Sequence, residues 1–105
     1  MKRLQKHATV LRALKASTPS VTKAIIKNAN KELINTLCEC CHNVLKGNVP
    51  LTASQKSKLR RYKSILRKLC LRQSVPKKKS LLLQRGGFLG ALLAPVIGLL
   101  GNLIG

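Results

Sequence analysis

The chain has 105 residues, a length that supports one small domain. It carries 21 Lys and Arg against two acids, which gives a net charge of +19, and its aromatic residues are one Phe and one Tyr. Such a charge opposes compaction unless a polyanion is bound, so nucleic acid or an anionic membrane surface is the expected partner. The usual acid/base and phosphate-loop constellations are missing, and we predict a non-enzymatic protein with no cofactor and no small-molecule substrate.

The N-terminal segment, residues 1–19, is predicted to be basic and amphipathic. Its apolar residues recur at helical spacing, namely Leu4, Ala8, Leu11 and Leu14. The segment lacks the apolar core and the small-residue cleavage site of a secretory signal. We therefore expect the four cysteines of the chain to be reduced thiols.

A helical domain is predicted over residues 20–74, and its first helix starts near Pro19. Proline is favoured in a first helical turn, where Ser17 or Thr18 can supply the cap. The pattern of this helix ends at residues 28–30.

The clearest predicted helix covers residues 31–46. Asn30 is placed to cap its start, and Gly47 is placed to stop it. Its apolar residues fall on one arc of the helical wheel: Leu33, Ile34, Leu37, Cys38, Cys40, Cys41, Val44 and Leu45. This helix is therefore expected to pack against the core.

Three cysteines lie on that apolar arc: Cys38, Cys40 and Cys41. Cys38 and Cys41 have the C-x-x-C spacing of a metal site, but zinc normally needs a second ligand pair, for which Cys70 and the distant His7 are the remaining candidates. Free cysteine also behaves as a small hydrophobe. We favour core packing over metal or redox chemistry, predict no metal site, and expect His42 to be solvated.

After the turn at residues 47–50, Thr52 and Gln55 have the spacing of a capping box and predict one helix over about 53–72. Its apolar arc comprises Leu59, Tyr62, Ile65, Leu66, Leu69 and Cys70. The predicted phosphate contacts on its polar side are Lys56, Lys58, Arg60, Arg61, Lys63, Arg67, Lys68 and Arg72. A basic linker with a diglycine, residues 75–87, adds Lys77, Lys78, Lys79 and Arg85, because Pro76 is expected to end the ordered part.

These cations could form an ordinary solvated surface, but like charges at i, i+4 cost a few tenths of a kcal/mol per pair. A sequence that repeats this arrangement is typical of a polyanion-binding helix. We predict contacts to the phosphates of double-stranded DNA without base readout, since no zinc finger or RNA-recognition aromatics are present. The turn at Gly47 resembles a helix-turn-helix only faintly. An RNA-binding or ribosome-associated protein is a lower-ranked alternative that rests on charge alone.

The last segment, residues 88–105, reads FLGALLAPVIGLLGNLIG and has no charged side chain. Its predicted membrane or docking residues are Phe88, Leu89, Leu92, Leu93, Val96, Ile97, Leu99, Leu100, Leu103 and Ile104. The segment is at the short end for a spanning helix and has Pro95 near its middle. Insertion into an anionic membrane or docking to capsid proteins is one interpretation, supported by the basic residues before it. Packing as a buried final helix is the other.

Two stretches resemble a known family. The Lys/Arg-rich run from Lys77, the diglycine Gly86-Gly87 and the apolar tail are similar to the adenovirus core protein X, the precursor of mu. Residues 27–69, KNANKELINTLCECCHNVLKGNVPLTASQKSKLRRYKSILRKL, resemble the small X-like proteins of Maverick/Polinton elements and adintoviruses. The resemblance implies a minor virion core protein that binds and condenses double-stranded DNA, located in the virion core and the host nucleus.

The resemblance also implies processing by an adenain-like cysteine protease at the Gly87–Phe88 bond, after Gly86. This chain has Gln84 where that protease favours Leu, Ile or Met, and it carries more Lys than the arginine-dense adenoviral protein. The fold we predict is all-α, with a domain of three to four short helices, a basic linker and an apolar, glycine-rich C-terminal helix. The alternative function is a membrane-active virion protein that perturbs or anchors to a bilayer.

Overall fold

A computed structural model of the chain describes residues 5–104, except for the side chains at 85, 86 and 100–104. Its helices are α1 (Ala8–Ala16), α2 (Pro19–Lys27), α3 (Lys31–Leu45), α4 (Ala53–Arg60), α5 (Lys63–Cys70), α6 (Val75–Arg85) and α7 (Leu89–Ile104). A short 3-10 helix, Gly86–Phe88, joins α6 to α7. The predicted all-α class is confirmed, and the described residues contain no strand. Between Ala8 and Arg85 the structure has six helices, where three or four were predicted.

The capping residues fix where α2 and α3 begin. Thr18 Oγ1 accepts a hydrogen bond from the backbone N–H of Val21, with Pro19 as the first residue of α2. Asn30 Oδ1 accepts from the N–H of Leu33 at 2.8 Å. Both caps satisfy N–H groups that have no partner inside the helix, so both predicted helix starts are confirmed.

The turn after α3 and the start of α4 also follow the sequence. Gly47 has a φ of 78°, the left-handed conformation that glycine adopts without steric cost. Thr52 Oγ1 accepts from the Gln55 N–H at 3.1 Å, and Gln55 Oε1 accepts from the Thr52 N–H at 3.0 Å. The predicted capping box is therefore present.

The single helix predicted over residues 53–72 is wrong, because Arg61 and Tyr62 form a turn between α4 and α5. The Tyr62 N–H donates to the carbonyl of Leu59 at 3.0 Å, a tighter spacing than an α-helix uses. The Tyr62 ring packs against Phe88, with 6.0 Å between centroids and 41° between planes. This tertiary contact is not visible in the local pattern, and it holds the turn on the core.

The basic segment predicted as a linker is helical over Val75–Arg85, so Pro76 does not end the ordered part. Pro76 is the second residue of α6, where its missing N–H has no helical partner to lose. The Lys77 N–H donates to Ser74 Oγ at 3.4 Å, and the Lys78 N–H donates to the Ser74 carbonyl at 3.1 Å. Ser74 therefore starts a helix at the point where the sequence was interpreted as ending one.

One hydrophobic core extends from Ala8 to Val96 and includes the start of the apolar tail. Five tail residues are at most 1% exposed, namely Phe88, Leu89, Leu92, Leu93 and Val96. Pro95 lies inside α7 and is also buried. This part of the tail therefore packs as a buried final helix, which was the second of the two interpretations. Neighbouring helices cover its apolar surface.

Most of the other helices contact α6 or α7. Helix α1 packs along α7 and α2 packs on α6, while α4 packs on α7 and α5 packs on α3 and α6. Helices α4 and α5 follow each other across the turn at Arg61 and Tyr62, and we call their exposed basic residues, from Lys56 to Lys68, the α4–α5 flank. The turn between α1 and α2 faces the corner where α6 meets α7.

Candidate nucleic-acid interface

Helix α5 is amphipathic, and its basic side faces water. Ile65, Leu66 and Leu69 are buried, at 5% exposed or less. The exposed side chains of the same helix include Lys63, Arg67 and Lys68. Because buried positions recur every three to four residues, the three cations fall on the opposite side of the helix. The apolar side of α5 thus fixes the direction in which its cations point.

Helix α4 buries fewer side chains than α5 does. Leu59 is its one buried residue, while Lys56, Lys58 and Arg60 are exposed on both sides of Leu59 in sequence. With so little burial, the order of this helix depends on the capping box that opens it. Its cations stand out from the body of the protein, where a long anionic partner could reach them.

Nine of the twelve predicted phosphate-binding residues have exposed side chains: Lys56, Lys58, Arg60, Arg61, Lys63, Arg67, Lys68, Arg72 and Lys77. From Lys46 to Arg85 the sequence contains no Asp or Glu to pair with them. Two acids in the whole chain cannot neutralise 21 cations. The α4–α5 flank therefore presents positive charge that a polyanion can compensate.

Two other predicted phosphate contacts are half-buried instead. Lys79 Nζ donates to the carbonyl of Ala29 at 2.9 Å, which ties α6 to the end of α2. Burial raises the pKa of the Cys38 and Cys70 thiols, and the charge of nearby Lys78 lowers it by a smaller amount. Both lysines have structural surroundings that charge counting in the sequence missed. The side chain of Arg85 lies outside the described part.

The cysteines pack in the core, as predicted. Cys40 and Cys41 are 0% exposed and Cys38 is 8% exposed. Burial raises the pKa of Cys40 to about 12 and raises the pKa of Cys41 well above its ordinary value. Such thiols stay protonated and unreactive at neutral pH. No group of three or more Cys, His, Asp or Glu side chains arranged to hold a metal occurs among the described residues. His42 is exposed, as expected.

The predicted cleavage bond joins an exposed residue to a buried one. Gly87 is exposed, but Phe88 is 0% exposed and helical backbone continues on both sides. A protease that binds its substrate in extended form would have to unfold this corner first. Ile97 and Leu99 are half-buried, and the side chains of Leu100, Leu103 and Ile104 fall outside the described part.

Within residues 5–104, no single helix has both the length and the apolar character needed to cross a bilayer. The pair Val75–Gln84 and Leu89–Leu99 meets the requirement jointly, but the two helices are bent by 110°.

Further cations lie outside the α4–α5 flank. The exposed ones that the sequence did not assign to a site include Arg12, Lys23, Lys27, Lys31 and Lys46. Lys6 has a partner, because its Nζ lies 3.0 Å from Glu32 Oε1. The only sequence feature that points to these residues is the high net charge. It indicates that many cations lie on the surface, but it does not indicate which of them form a site.

No model of a protein family, no curated protein and no solved structure matches this chain. The resemblance to the adenovirus core protein X and the X-like proteins of Maverick/Polinton elements thus stays a prediction. The exposed helix surfaces carry ammonium and guanidinium groups, and these groups are suited to binding backbone phosphates. Tyr62, which could have stacked on a base, packs against Phe88 instead.

Proposed function

We propose that this chain is a non-enzymatic protein that binds double-stranded DNA through its phosphates, without reading sequence, and condenses it. The observation that carries the proposal is the α4–α5 flank, where exposed cations stand on helices without a single acid. Under this proposal residues 20–74 contain the DNA-binding helices, and residues 88–99 of the apolar segment contribute to the core that holds them. Its place is the core of a virus-like particle, as the sequence resemblance implies.

The size of the molecule supports condensation. Its principal extents are 31, 27 and 27 Å. A duplex carries one negative charge per ~1.7 Å, so a length matching the protein carries roughly 16–18 phosphate charges. The net charge of +19 is close to that number. A DNA duplex covered by such molecules is almost neutral, and neutral duplexes no longer repel one another.

The test is a salt titration of duplex binding by the full chain. The eight cations from Lys56 to Arg72 predict a log-log slope of about −7, since each neutralised phosphate contributes about −0.9. Affinity should be the same for unrelated sequences of equal length. A complex that survives high salt, or one that prefers a particular sequence, would contradict the proposal.

Neutralising variants test where the DNA contacts are. The triple variant Lys63→Gln, Arg67→Gln, Lys68→Gln should lower the steepness of the slope by about 2.7, because three phosphate contacts are lost. The matched control, Arg12→Gln, Lys27→Gln, Lys46→Gln, removes the same charge from exposed positions elsewhere and should change the slope by less than half as much. Equal changes in both variants would mean that DNA binding is spread over the whole surface.

The bent pair of α6 and α7 supports the membrane-active alternative, since together these helices have the length and composition of a span. That function requires α7 to leave the core. Release of dye from anionic liposomes by the native protein, increased by a core-loosening variant such as Leu14→Ala, is expected under this alternative. An absence of both leakage and liposome binding would remove it.

A further inference from the structure

A cavity of about 270 Å³ lies where the turn between α1 and α2 faces the corner between α6 and α7. Its apolar wall includes Leu14 and Ile26 from one side and Leu82 and Leu89 from the other. All four side chains are 2% exposed or less, so they are fixed by the core. The wall is therefore preformed, as in most small-molecule sites.

The polar part of the lining is cationic. Lys15 and Lys23 border the cavity, and neither has an ion-pair partner in the part of the chain that the structure describes. The hydroxyls of Ser17 and Thr22 also line it, but each donates to a backbone carbonyl of its own turn at 3.0 Å, and they contact each other. The amide of Gln84 also lines the cavity, but the two ammonium groups are the charged groups of the lining, and they select an anion.

The volume of the cavity limits its ligand to a small molecule. An apolar cavity of ~150 Å³ holds a benzene molecule, and drug-sized sites begin at ~300 Å³. The present cavity falls between these sizes, with an apolar interior and a cationic edge. A medium-length alkyl chain or a single substituted ring, ending in one negative charge, satisfies both requirements.

We propose that this cavity is a binding site for a small amphipathic anion, of the medium-chain carboxylate class. The alkyl chain lies against the leucine and isoleucine wall, and the carboxylate lies between Lys15 and Lys23. The site is separate from the α4–α5 flank and does not depend on the proposed DNA binding.

Gly87 is a lining position at which a Cβ has room, so a side chain can be added there to test the cavity. It belongs to the lining, its φ lies outside the left-handed region, and a Cβ built on it meets no atom within 4 Å. Gly98 on α7 is equally open to a Cβ but does not line the cavity. Gly87→Leu and Gly98→Leu therefore form a matched pair that adds the same side chain at the lining of the cavity and away from it.

The experiment is calorimetric titration of the full chain with decanoate below its micellar concentration, together with thermal unfolding of each variant. We expect one decanoate per chain, with affinity weakened about tenfold or more by Gly87→Leu and unchanged by Gly98→Leu. The double variant Lys15→Gln, Lys23→Gln should weaken binding by about threefold to tenfold. Decyltrimethylammonium, which has the same chain and the opposite charge, should not bind.

Three results would overturn the proposal. One is the absence of decanoate binding to a folded wild-type chain. Another is binding of several decanoates per chain with equal affinity in Gly87→Leu and Gly98→Leu, which would mean adsorption on the basic surface. The last is equal binding of the cationic amphiphile. DNA binding is measured separately, so failure here leaves the proposed function as it stands.

Discussion

Helices α4 and α7 are held in place by different means. Helix α7 buries Leu89, Leu92, Leu93 and Val96 and is covered by α1, α3 and α4. Helix α4 buries Leu59 alone and depends on a capping box. Tertiary packing therefore fixes the apolar helix, while local hydrogen bonds and a single anchor fix the basic one. The charged surface can therefore change in detail, provided the charge remains, whereas the core around α7 tolerates little change.

The largest expected effect is at Phe88, which is fully buried and touches Tyr62. Phe88→Ala should lower the free energy of unfolding by about 3–5 kcal/mol, through lost burial and the cavity left behind. Urea denaturation measures this loss. The control Val21→Ala, at a side chain 48% exposed, should change stability by less than about 0.5 kcal/mol. If Phe88→Ala behaved like the control, the corner between α6 and α7 would not be part of the core.

The next effect is a pH dependence that originates at Cys40. Well below pH 9.0, the ordinary pKa, the Cys40 thiol is protonated in folded and unfolded chains alike. Between pH 9.0 and about 12 the unfolded chain ionises Cys40 and the folded chain does not, because burial raises the pKa. The unfolded state then binds fewer protons, so stability falls with rising pH.

Comparison with Cys40→Ala isolates this dependence from the titration of lysines. From pH 9 to 11, wild type should lose up to about 1.4 kcal/mol per pH unit more than the variant. Urea denaturation with a reducing agent present provides the measurement. Parallel pH profiles for the two proteins would show that the thiol is not held protonated by the fold.

A smaller effect is expected at the start of α4. Thr52→Ala removes the hydroxyl that accepts from the Gln55 N–H at 3.1 Å. The cost should be about 1 kcal/mol, and circular dichroism should show a loss of helix, because α4 has little burial to replace the cap. Thr52→Ser keeps the hydroxyl and should retain most of the stability. A full loss in the serine variant would point to the methyl group and not to the cap.

The smallest effect has the opposite sign. Lys56 and Arg60 are exposed like charges at i, i+4 on α4. Lys56→Gln should therefore raise stability by about 0.2–0.5 kcal/mol while weakening DNA binding. Thermal unfolding and duplex titration of the same samples measure the two changes. Lys56→Arg, which keeps the charge, should do neither. A loss of stability in Lys56→Gln would mean that this lysine has a structural partner.

Local signals in the sequence predicted local structure well. The caps at Thr18, Asn30 and Thr52, and the stop at Gly47, are all present because each depends on residues within one turn. The burial of the cysteines followed from the apolar arc of α3 in the same way. These features needed no knowledge of the rest of the chain.

The failures came from residues whose surroundings are distant in sequence. Tyr62 interrupts the predicted helix at a turn that packs on Phe88, 26 positions away. Lys79 bonds to the Ala29 carbonyl across 50 positions, a contact that its charge alone did not predict. Pro76 was misinterpreted for a different reason: a proline followed by basic residues can end a helix or begin one, and Ser74 decides between them.

The contact between Tyr62 and Phe88 also has an optical consequence. The chain has one tyrosine and no tryptophan, so nearly all of its near-ultraviolet emission comes from one phenol ring. That ring sits at the turn between the two basic helices and against the first residues of the apolar tail. Without any added label, the emission of Tyr62 therefore reports when the turn between α4 and α5 separates from Phe88 during unfolding.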